Sequence, residues 1–505
     1  MHAFAHIPLG TPIPDSPHAV SCSLPTMAAV RGYEEKDPAV IASLQTGYPR
    51  FVVHPFARRL AAALTERGGL AGRTLWLASS RAMADGLLAH LRSAGAGAGA
   101  APFEGNGVHG VSHPGSPELA QRARLYLQNI GGFLSSREAE DRLAQIGVGP
   151  VPGGEEAFAG DSREEVLQFL RPMFAGVPDE NLTLANSGMN AVYAAFRAVN
   201  GLQAPKGRTA WVQLGWLYLD TIAILRKFTA SKDDYIHVRD VMDLAGLERI
   251  FAERGDRIAG VLAEVPTNPL VQTPDVGALA ALCRRHSAKL VLDPSLASAF
   301  SVDCMPHADL VVTSLTKYTG NEGDVIAGLV AVNPGARGAD VLRRGVASAV
   351  EPPYPRDLAR IAAQISNTAA VLGRIEESTP RVASFLASHP AVRTTHWALE
   401  QASRDNYMKI ARSPGATGGI ITFTLRGRLE AFYDRLRLPK GPSFGMRTTL
   451  ICPFMYLAHY DLVKTPAGRA ELVANGLYPD MLRLCVGTEP ADEIIGALAE
   501  ALGAD

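Results

Sequence analysis

From about residue 180 the chain alternates short apolar runs with stretches of helical periodicity. "NLTLANSG" leads into "MNAVYAAFRAV", "IAGVLAEVPTNP" leads into "DVGALAALCRRH", and "AKLVLDPS" and "ADLVVTSLTK" follow. Apolar runs of strand length separated by amphipathic helices predict βαβ units and a mostly parallel sheet. After the proline-rich break "VEPPYPRD" (Val350 to Asp357) the texture changes. One long helix, "LARIAAQISNTAAVLGRI", is expected first, then an alternating strand "GGIITFTL", a strand "MLRLCV" and a closing helix "PADEIIGALAEAL". This predicts a second, smaller α+β domain from about residue 350. No internal repeat is apparent.

The N-terminal third is interrupted by "GAGAGAAPFEGNGVHGVSHPGSPE", Gly95 to Glu118, whose glycines and prolines predict a surface loop. It holds a literal GxGxxG at Gly105, Gly107 and Gly110. A dinucleotide fingerprint needs a strand before it and a helix after it, and Pro102 and His113-Pro114-Gly115 argue against both. His109 and His113 have metal-ligand spacing only on a helix, which this segment cannot form.

Composition narrows the classes. A chain of 505 residues, 47% hydrophobic and 20% charged, is ordinary for a globular protein of two or three domains. A formal net charge of -1 leaves no electrostatic footprint for nucleic acid or an anionic membrane. No apolar segment approaches bilayer length, and the N-terminus lacks a basic region followed by an uninterrupted apolar stretch. The expectation is a cytoplasmic protein. Its five cysteines, Cys22, Cys283, Cys304, Cys452 and Cys485, are scattered and form no CxxC pair. They read as core fillers, with neither a disulfide frame nor a metal site implied.

Chemistry collects at the predicted strand ends. In an open α/β sheet, ligands bind beyond the carboxyl ends of the strands. "LTLA" ends in Asn186-Ser187-Gly188-Met189 at a helix start, where free N–H groups suit a phosphate, though such a turn is also an ordinary cap. "GVLAE" ends at Glu264, with Asn268 in the following loop, and "KLVLD" ends at Asp293. "LVVTSLT" ends at Lys317, behind the hydroxyls of Ser314 and Thr316. An amine, a carboxylate, a helix N-terminus and hydroxyls are what pyridoxal 5'-phosphate needs: a Schiff-base partner, a ring-nitrogen partner and a phosphate grip. An ion pair between Asp293 and Lys317 is the competing reading. Arg483 alternates with Leu482, Leu484 and Val486, so it points away from their packing face, toward an anion or solvent.

These residues resemble the cystathionine γ-synthase-like, Cys/Met-metabolism branch of fold-type I pyridoxal phosphate transferases. "SLTKYTGNEGDVIAG" is similar to the segment around that family's Schiff-base lysine, which implies Lys317 in that role and Ser314 and Thr316 as phosphate contacts. "NSGMNAV" resembles its phosphate loop, giving Ser187, Gly188 and Met189. "LDPSLAS" resembles the segment of the pyridinium partner, Asp293, and "EVPTNP" the element that places Asn268 beside the ring. "GWLYLDT" implies that Tyr218 stacks on the ring, with Thr221 following. "MLRLCVGTE" implies that Arg483 binds the substrate α-carboxylate, and "PSFGMRTTLICP" that Ser443 helps hold it. "PHAVSCSLPTMAAVRGYEEKDPAV", "TGYPRFVVHP" and "GGFLSSREAE" resemble the long fungal-type cystathionine γ-synthases. There Tyr48 and Arg50 would reach the cofactor phosphate of a neighbouring subunit, implying a homodimer or homotetramer with shared sites.

The implied domains are an N-terminal interface segment (1–130), a large cofactor-binding α/β domain (131–350) and a small C-terminal α+β domain (351–505). The implied reaction is γ-replacement, joining an O-activated homoserine and L-cysteine into L-cystathionine, a step of methionine biosynthesis. Lys317, Tyr218 and Asp293 would be its catalytic residues. A cystathionine or methionine lyase is the alternative, and a catalytically silent regulatory relative a further one. Four positions depart from the family pattern: Glu322 stands for a histidine, Leu219 and Asp220 for two glycines, and Pro442 for an acid that reads the distal end of the substrate.

Overall fold

The computed structural model describes residues 4–46, 52–93, 99–149 and 153–503. The segment expected as a surface loop holds regular structure instead. Strands β1 (Arg73–Ala78), β2 (Ala101–Gly105) and β3 (Val108–Pro114) form an antiparallel sheet in the order β1-β3-β2. Asn106 and Gly107, at φ 53° and 72°, make the two-residue turn between β2 and β3. Both central residues of such a turn need positive φ, which Asn-Gly supplies. Gly110 is required for a different reason: a Cβ there would lie 2.2 Å from the Trp76 carbonyl oxygen. The GxGxxG glycines therefore build a hairpin. His113 Nε2 accepts the indole N–H of Trp76 at 3.1 Å, and among the described residues no group of histidines, cysteines or acids could hold a metal.

The large sheet comprises β4 (Leu182–Ala185), β5 (Ala210–Leu214), β6 (Tyr235–Val238), β7 (Ile258–Glu264), β8 (Lys289–Asp293), β9 (Leu310–Ser314) and β10 (Gly328–Val332). Its order is β4-β10-β9-β8-β7-β5-β6, and only β10 runs antiparallel to its neighbours. Helices cover both faces, so β7 is buried at all seven positions. Val261, Leu290 and Val311 enter one core; Leu262, Val291 and Val312 enter the other. This two-residue alternation onto two dry faces explains the unbroken apolar runs. Each such side chain contributes about 1.5–3 kcal/mol relative to exposure.

A second, antiparallel sheet follows: β11 (Val392–Trp397), β12 (Ile420–Leu425), β13 (Leu450–Pro453) and β14 (Leu482–Cys485), ordered β11-β12-β14-β13. The long helix expected before it is two helices, Pro355–Ile365 and Thr368–Ser388. The break has a local cause. Gln364 gives its carbonyl to the Asn321 side chain at 3.0 Å and to the Asn367 N–H, making a turn rather than a continuing helix.

The N-terminal segment crosses both sheets as a strap. Pro12–Ile13 pairs with Ser21–Cys22, and Ile13 and Val20 pack with Met446 and Leu450. The Val20 N–H donates to Gly323 at 2.8 Å and the Leu24 N–H to Lys440 at 2.9 Å. Nearby, buried Arg137 meets Glu155 at 2.8 Å, Asp357 at 3.1 Å and Asp324 at 3.5 Å. All five cysteines are free and buried, as their scatter predicts. Among the described residues no helix is long and apolar enough to cross a membrane.

Candidate active site

Beyond the carboxyl ends of β4, β7, β8 and β9 lies a cavity of about 110 Å³. Ten of the residues singled out from the sequence line it together: Ser187, Gly188, Met189, Tyr218, Asn268, Asp293, Ser314, Lys317, Ser443 and Arg483. Parallel pairing of β7, β8 and β9 brings their ends to one edge, which is why residues far apart in sequence converge. Arg483 and Ser443 arrive from the smaller sheet and the loop before β13.

Lys317 is 8% exposed, and its Nζ donates to Ser443 Oγ at 2.6 Å. It also stands 4.8 Å from the centre of the Phe444 ring. Asp293 accepts the Ser295 N–H at 2.9 Å, and burial pushes its carboxyl up to about 6. It faces Glu264 across the β7–β8 register. Glu264 accepts the Tyr218 N–H at 2.5 Å and the Asn268 N–H at 3.2 Å. Burial, then the charge of Asp293, raises the Glu264 carboxyl well above the usual range. Arg483 lies between the Phe444 and Phe454 rings, at 4.9 and 4.6 Å, and donates to Asn268 Oδ1 at 3.3 Å and the Ser443 carbonyl at 3.1 Å. Its expected direction, away from the packing of Leu482 and Leu484, is into this cavity.

Ser187 caps the helix Gly188–Gln203, its Oγ accepting the Asn190 N–H at 3.2 Å. A Cβ on Gly188 would lie 2.8 Å from that of Ser314, so only glycine lets this helix start press against the end of β9. Thr316 is not on the cavity wall; its hydroxyl donates to the Ala327 carbonyl at 3.3 Å and accepts the Ala327 N–H at 3.1 Å. Tyr48 and Arg50 lie outside the described residues. The cavity also includes residues to which the sequence reading assigned no role: Val192, Thr221, Glu264, Ser295, Leu296 and Phe444. Ser295 ties two strand ends, its Oγ accepting the Ser314 N–H at 2.8 Å. Its place two residues after Asp293 was the available signal.

The departures fall outside this wall. Glu322 pairs with Arg360 and, at 3.9 Å, with Arg447. Asp220 lies in the first turn of the helix Leu219–Phe228, is buried, and accepts from the Gln128 and Asn129 side-chain amides, each at 2.8 Å. It borders a second cavity of about 820 Å³ that shares Ser187, Met189 and Tyr218 with the first.

The donor set suits pyridoxal phosphate. The helix start beside Ser314 offers N–H groups and hydroxyls to a dianion, and the desolvated Asp293 would gain from a cationic ring nitrogen. Comparison with known proteins agrees. The profile of the Cys/Met metabolism PLP-dependent enzyme family matches residues 175–503. The chain is 39% identical over 493 residues to the L-2-amino-4-chloropent-4-enoate dechlorinase/desaturase of Streptantibioticus cattleyicolor, covering 97% of each. It is 26% identical to the cystathionine gamma-synthase of Neurospora crassa, covering 98% of each. The crystal structure of cystathionine gamma synthase from Xanthomonas oryzae pv. oryzae in complex with cystathionine superimposes with a TM-score of 0.58 at 24% identity, covering 68% of this chain and 86% of that one. The fold is that of fold-type I pyridoxal phosphate enzymes. With its cofactor thereby set as pyridoxal phosphate, the chain belongs to the Cys/Met metabolism PLP-dependent enzyme family.

Proposed function

We propose that the protein expels a leaving group from Cγ of a compact L-α-amino acid, ending in elimination of the kind named for its 39% identical relative. L-2-Amino-4-chloropent-4-enoate carries chlorine on C4, the γ-carbon. Loss of chloride and a proton leaves a chain with one further unsaturation. The observation that carries this choice is the charge content of the 110 Å³ cavity: Lys317 and Arg483 are its cations, Glu264 and Asp293 its carboxylates. Both carboxylates sit at strand ends, and Glu264 is occupied by two backbone N–H groups. Position 442, before Ser443, is a proline with no charge to offer. Among the described residues lining this cavity, one amino-acid head finds partners and no further cation is present for the distal carboxylate of cystathionine.

In this reading Arg483 holds the α-carboxylate, its planar guanidinium held in place between the two phenylalanine rings. Lys317 takes the proton from Cα and delivers or removes protons further along the chain, with Ser443 orienting its amine. Asp293 stays ionised against the ring nitrogen. Tyr218 covers the ring, while Ser187, Gly188, Met189 and Ser314 hold the phosphate. Val192, Leu296 and Phe444 keep water from the reacting carbons. Pyridoxal phosphate, when bound, supplies an electron sink for the negative charge that develops on the substrate.

Cystathionine formation is the second reading, favoured by the full-length similarity to the Neurospora crassa synthase. The test is product analysis with the cofactor-loaded protein. Substrates are L-2-amino-4-chloropent-4-enoate and the acetyl, succinyl and phosphoryl esters of homoserine, each with and without L-cysteine. Elimination predicts chloride release and an unsaturated amino acid without cysteine. Turnover that requires cysteine and yields cystathionine would overturn it. An active relative rather than a silent one is expected, given the intact site.

A further inference from the structure

The strap formed by residues 18–24 touches both loops that bring Lys317 and Ser443 together. Ser21, 1% exposed, donates its hydroxyl to the Pro442 carbonyl at 2.6 Å. A Cβ on Gly441 would lie 2.5 Å from the Cys22 carbonyl oxygen and 2.6 Å from Ser21 Oγ, so strap and loop are in backbone contact. The next residue, Ser443, has φ +82°, a conformation that non-glycine residues rarely adopt and that surroundings must impose. Its own carbonyl accepts from Arg483 at 3.1 Å, and its hydroxyl accepts from Lys317 at 2.6 Å. On the other side the strap holds the lysine loop, through the Val20 N–H on Gly323.

We propose that Ser21 is a positioning residue for the reaction. By fixing the Pro442 carbonyl it keeps Ser443 in its left-handed conformation, and so keeps the Ser443 hydroxyl on the Lys317 amine. None of residues 20–24 lines the 110 Å³ cavity, and Ser21 acts through Ser443. Removing this one hydrogen bond lets the 442–443 peptide rotate, and the Lys317 amine loses the orienting Ser443 hydroxyl, while the contacts offered to the cofactor phosphate remain and Arg483 keeps its place between the two phenylalanine rings. The proposal rests on Lys317 being the acting amine, which fails separately if Lys317→Ala keeps the visible band of the bound cofactor.

The test uses the cofactor-loaded, full-length protein. Ser21→Ala removes a single oxygen atom and leaves the packing of Ile13, Val20, Met446 and Leu450. Expected is a kcat lowered roughly three- to tenfold, the weight of one net buried hydrogen bond. Cofactor content should stay within about twofold, because the phosphate contacts are not touched, and KM should change less than kcat, because Arg483 loses at most its contact to the Ser443 carbonyl. The pH midpoint of the visible band should move, since the amine it reports has lost its partner. In combination with Ser443→Ala, Ser21→Ala should add nothing, because the two act in series. A Ser21→Ala protein with unchanged kcat and pH midpoint, or effects that add in the double variant, would overturn the proposal. Should Ser21→Ala not fold, the isosteric pair Ser21→Thr and Ser21→Val carries the same comparison, with the hydroxyl-bearing variant expected to keep the higher kcat. Equal kcat in that pair would equally overturn it.

Discussion

Lys317 is buried in the loop just beyond the end of interior strand β9, with its amine on the Ser443 hydroxyl and near the Phe444 ring. Lys317→Ala should abolish the visible absorbance of the bound cofactor and lower kcat at least about 10³-fold, because no other amine lines the cavity. A surviving band would reject the assignment. Asp293 poses the reverse problem, a carboxyl desolvated until it titrates near 6, beside a second buried acid. A ring cation relieves that cost, so Asp293→Asn should leave the cofactor bound but reduce kcat on the order of 10²-fold with little change in KM. Steady-state kinetics together with the cofactor spectrum separates the two effects. A kcat within a few-fold of the parent would remove Asp293 from the mechanism.

Among the elements, the hairpin β2–β3 gives the sharpest prediction. Gly107→Ala puts a side chain at φ 72° and 2.9 Å from Arg142, and should cost about 1 kcal/mol in chemical denaturation. An unchanged midpoint would mean that the turn relaxes. This hairpin also shows where sequence reading stops. Its Asn-Gly pair is a strong local signal, but it was submerged in a glycine-rich stretch read by composition. The βαβ region was legible because burial on two faces leaves unbroken apolar runs, and the strand ends then place Asp293, Lys317 and Ser187 without further information. The helix break at Ser366 and Asn367 was not legible, because its cause is Asn321, which reaches Gln364 from a different loop. Glu264 and Ser295 were visible as residues yet silent as roles, since their partners are backbone N–H groups. Ser21 is the extreme case: a serine whose significance depends on a carbonyl far along the chain. Thr316 is the converse, a residue placed by resemblance whose hydroxyl is already engaged by Ala327.

On the scale of the molecule, two histidines fasten the N-terminal strap, His18 to the helix Ser136–Gln145 and His54 to Pro17, the residue before His18. His18 hydrogen-bonds Ser136 at 2.9 Å and Glu140 at 3.2 Å, and burial, then the charge of Arg137, pushes it down to about 2. His54, bonded to the Pro17 carbonyl, is pushed by burial to about 4. Below pH 6.5 the unfolded chain binds protons that these folded rings refuse. Their contribution is therefore complete above 6.5 and lost as the pH falls, by up to about 1.4 kcal/mol per pH unit for each ring. Glu264 and Asp293, with raised values, have the opposite sign, but they are common to parent and variant. His18→Gln should thus show a shallower loss of stability between pH 6.5 and 5 than the parent in urea titrations. Parallel curves would show that His18 is protonated in the fold.

Strand β10 runs against its neighbours, and this reversal has a mechanical consequence for the amine. Residues 315–327 leave the sheet at the end of β9 and re-enter it on the adjacent strand at the same edge. A parallel β10 would have required a crossover of a dozen or more residues, usually a helix, back to the opposite edge. Lys317 is instead suspended from two anchor points on the stiffest part of the protein. Helices that this loop does not touch can shift without moving Lys317; the helix Pro355–Ile365, bonded to the loop at Asn321 and Glu322, is not among them. Arg483 has no such insulation, because it is mounted on the other sheet. Relative movement of the sheets would therefore change how the substrate's carboxylate is presented and, because Ser443 is carried on the loop before β13, how the amine is oriented, while the spacing of Lys317 and Asp293 is set within the large sheet.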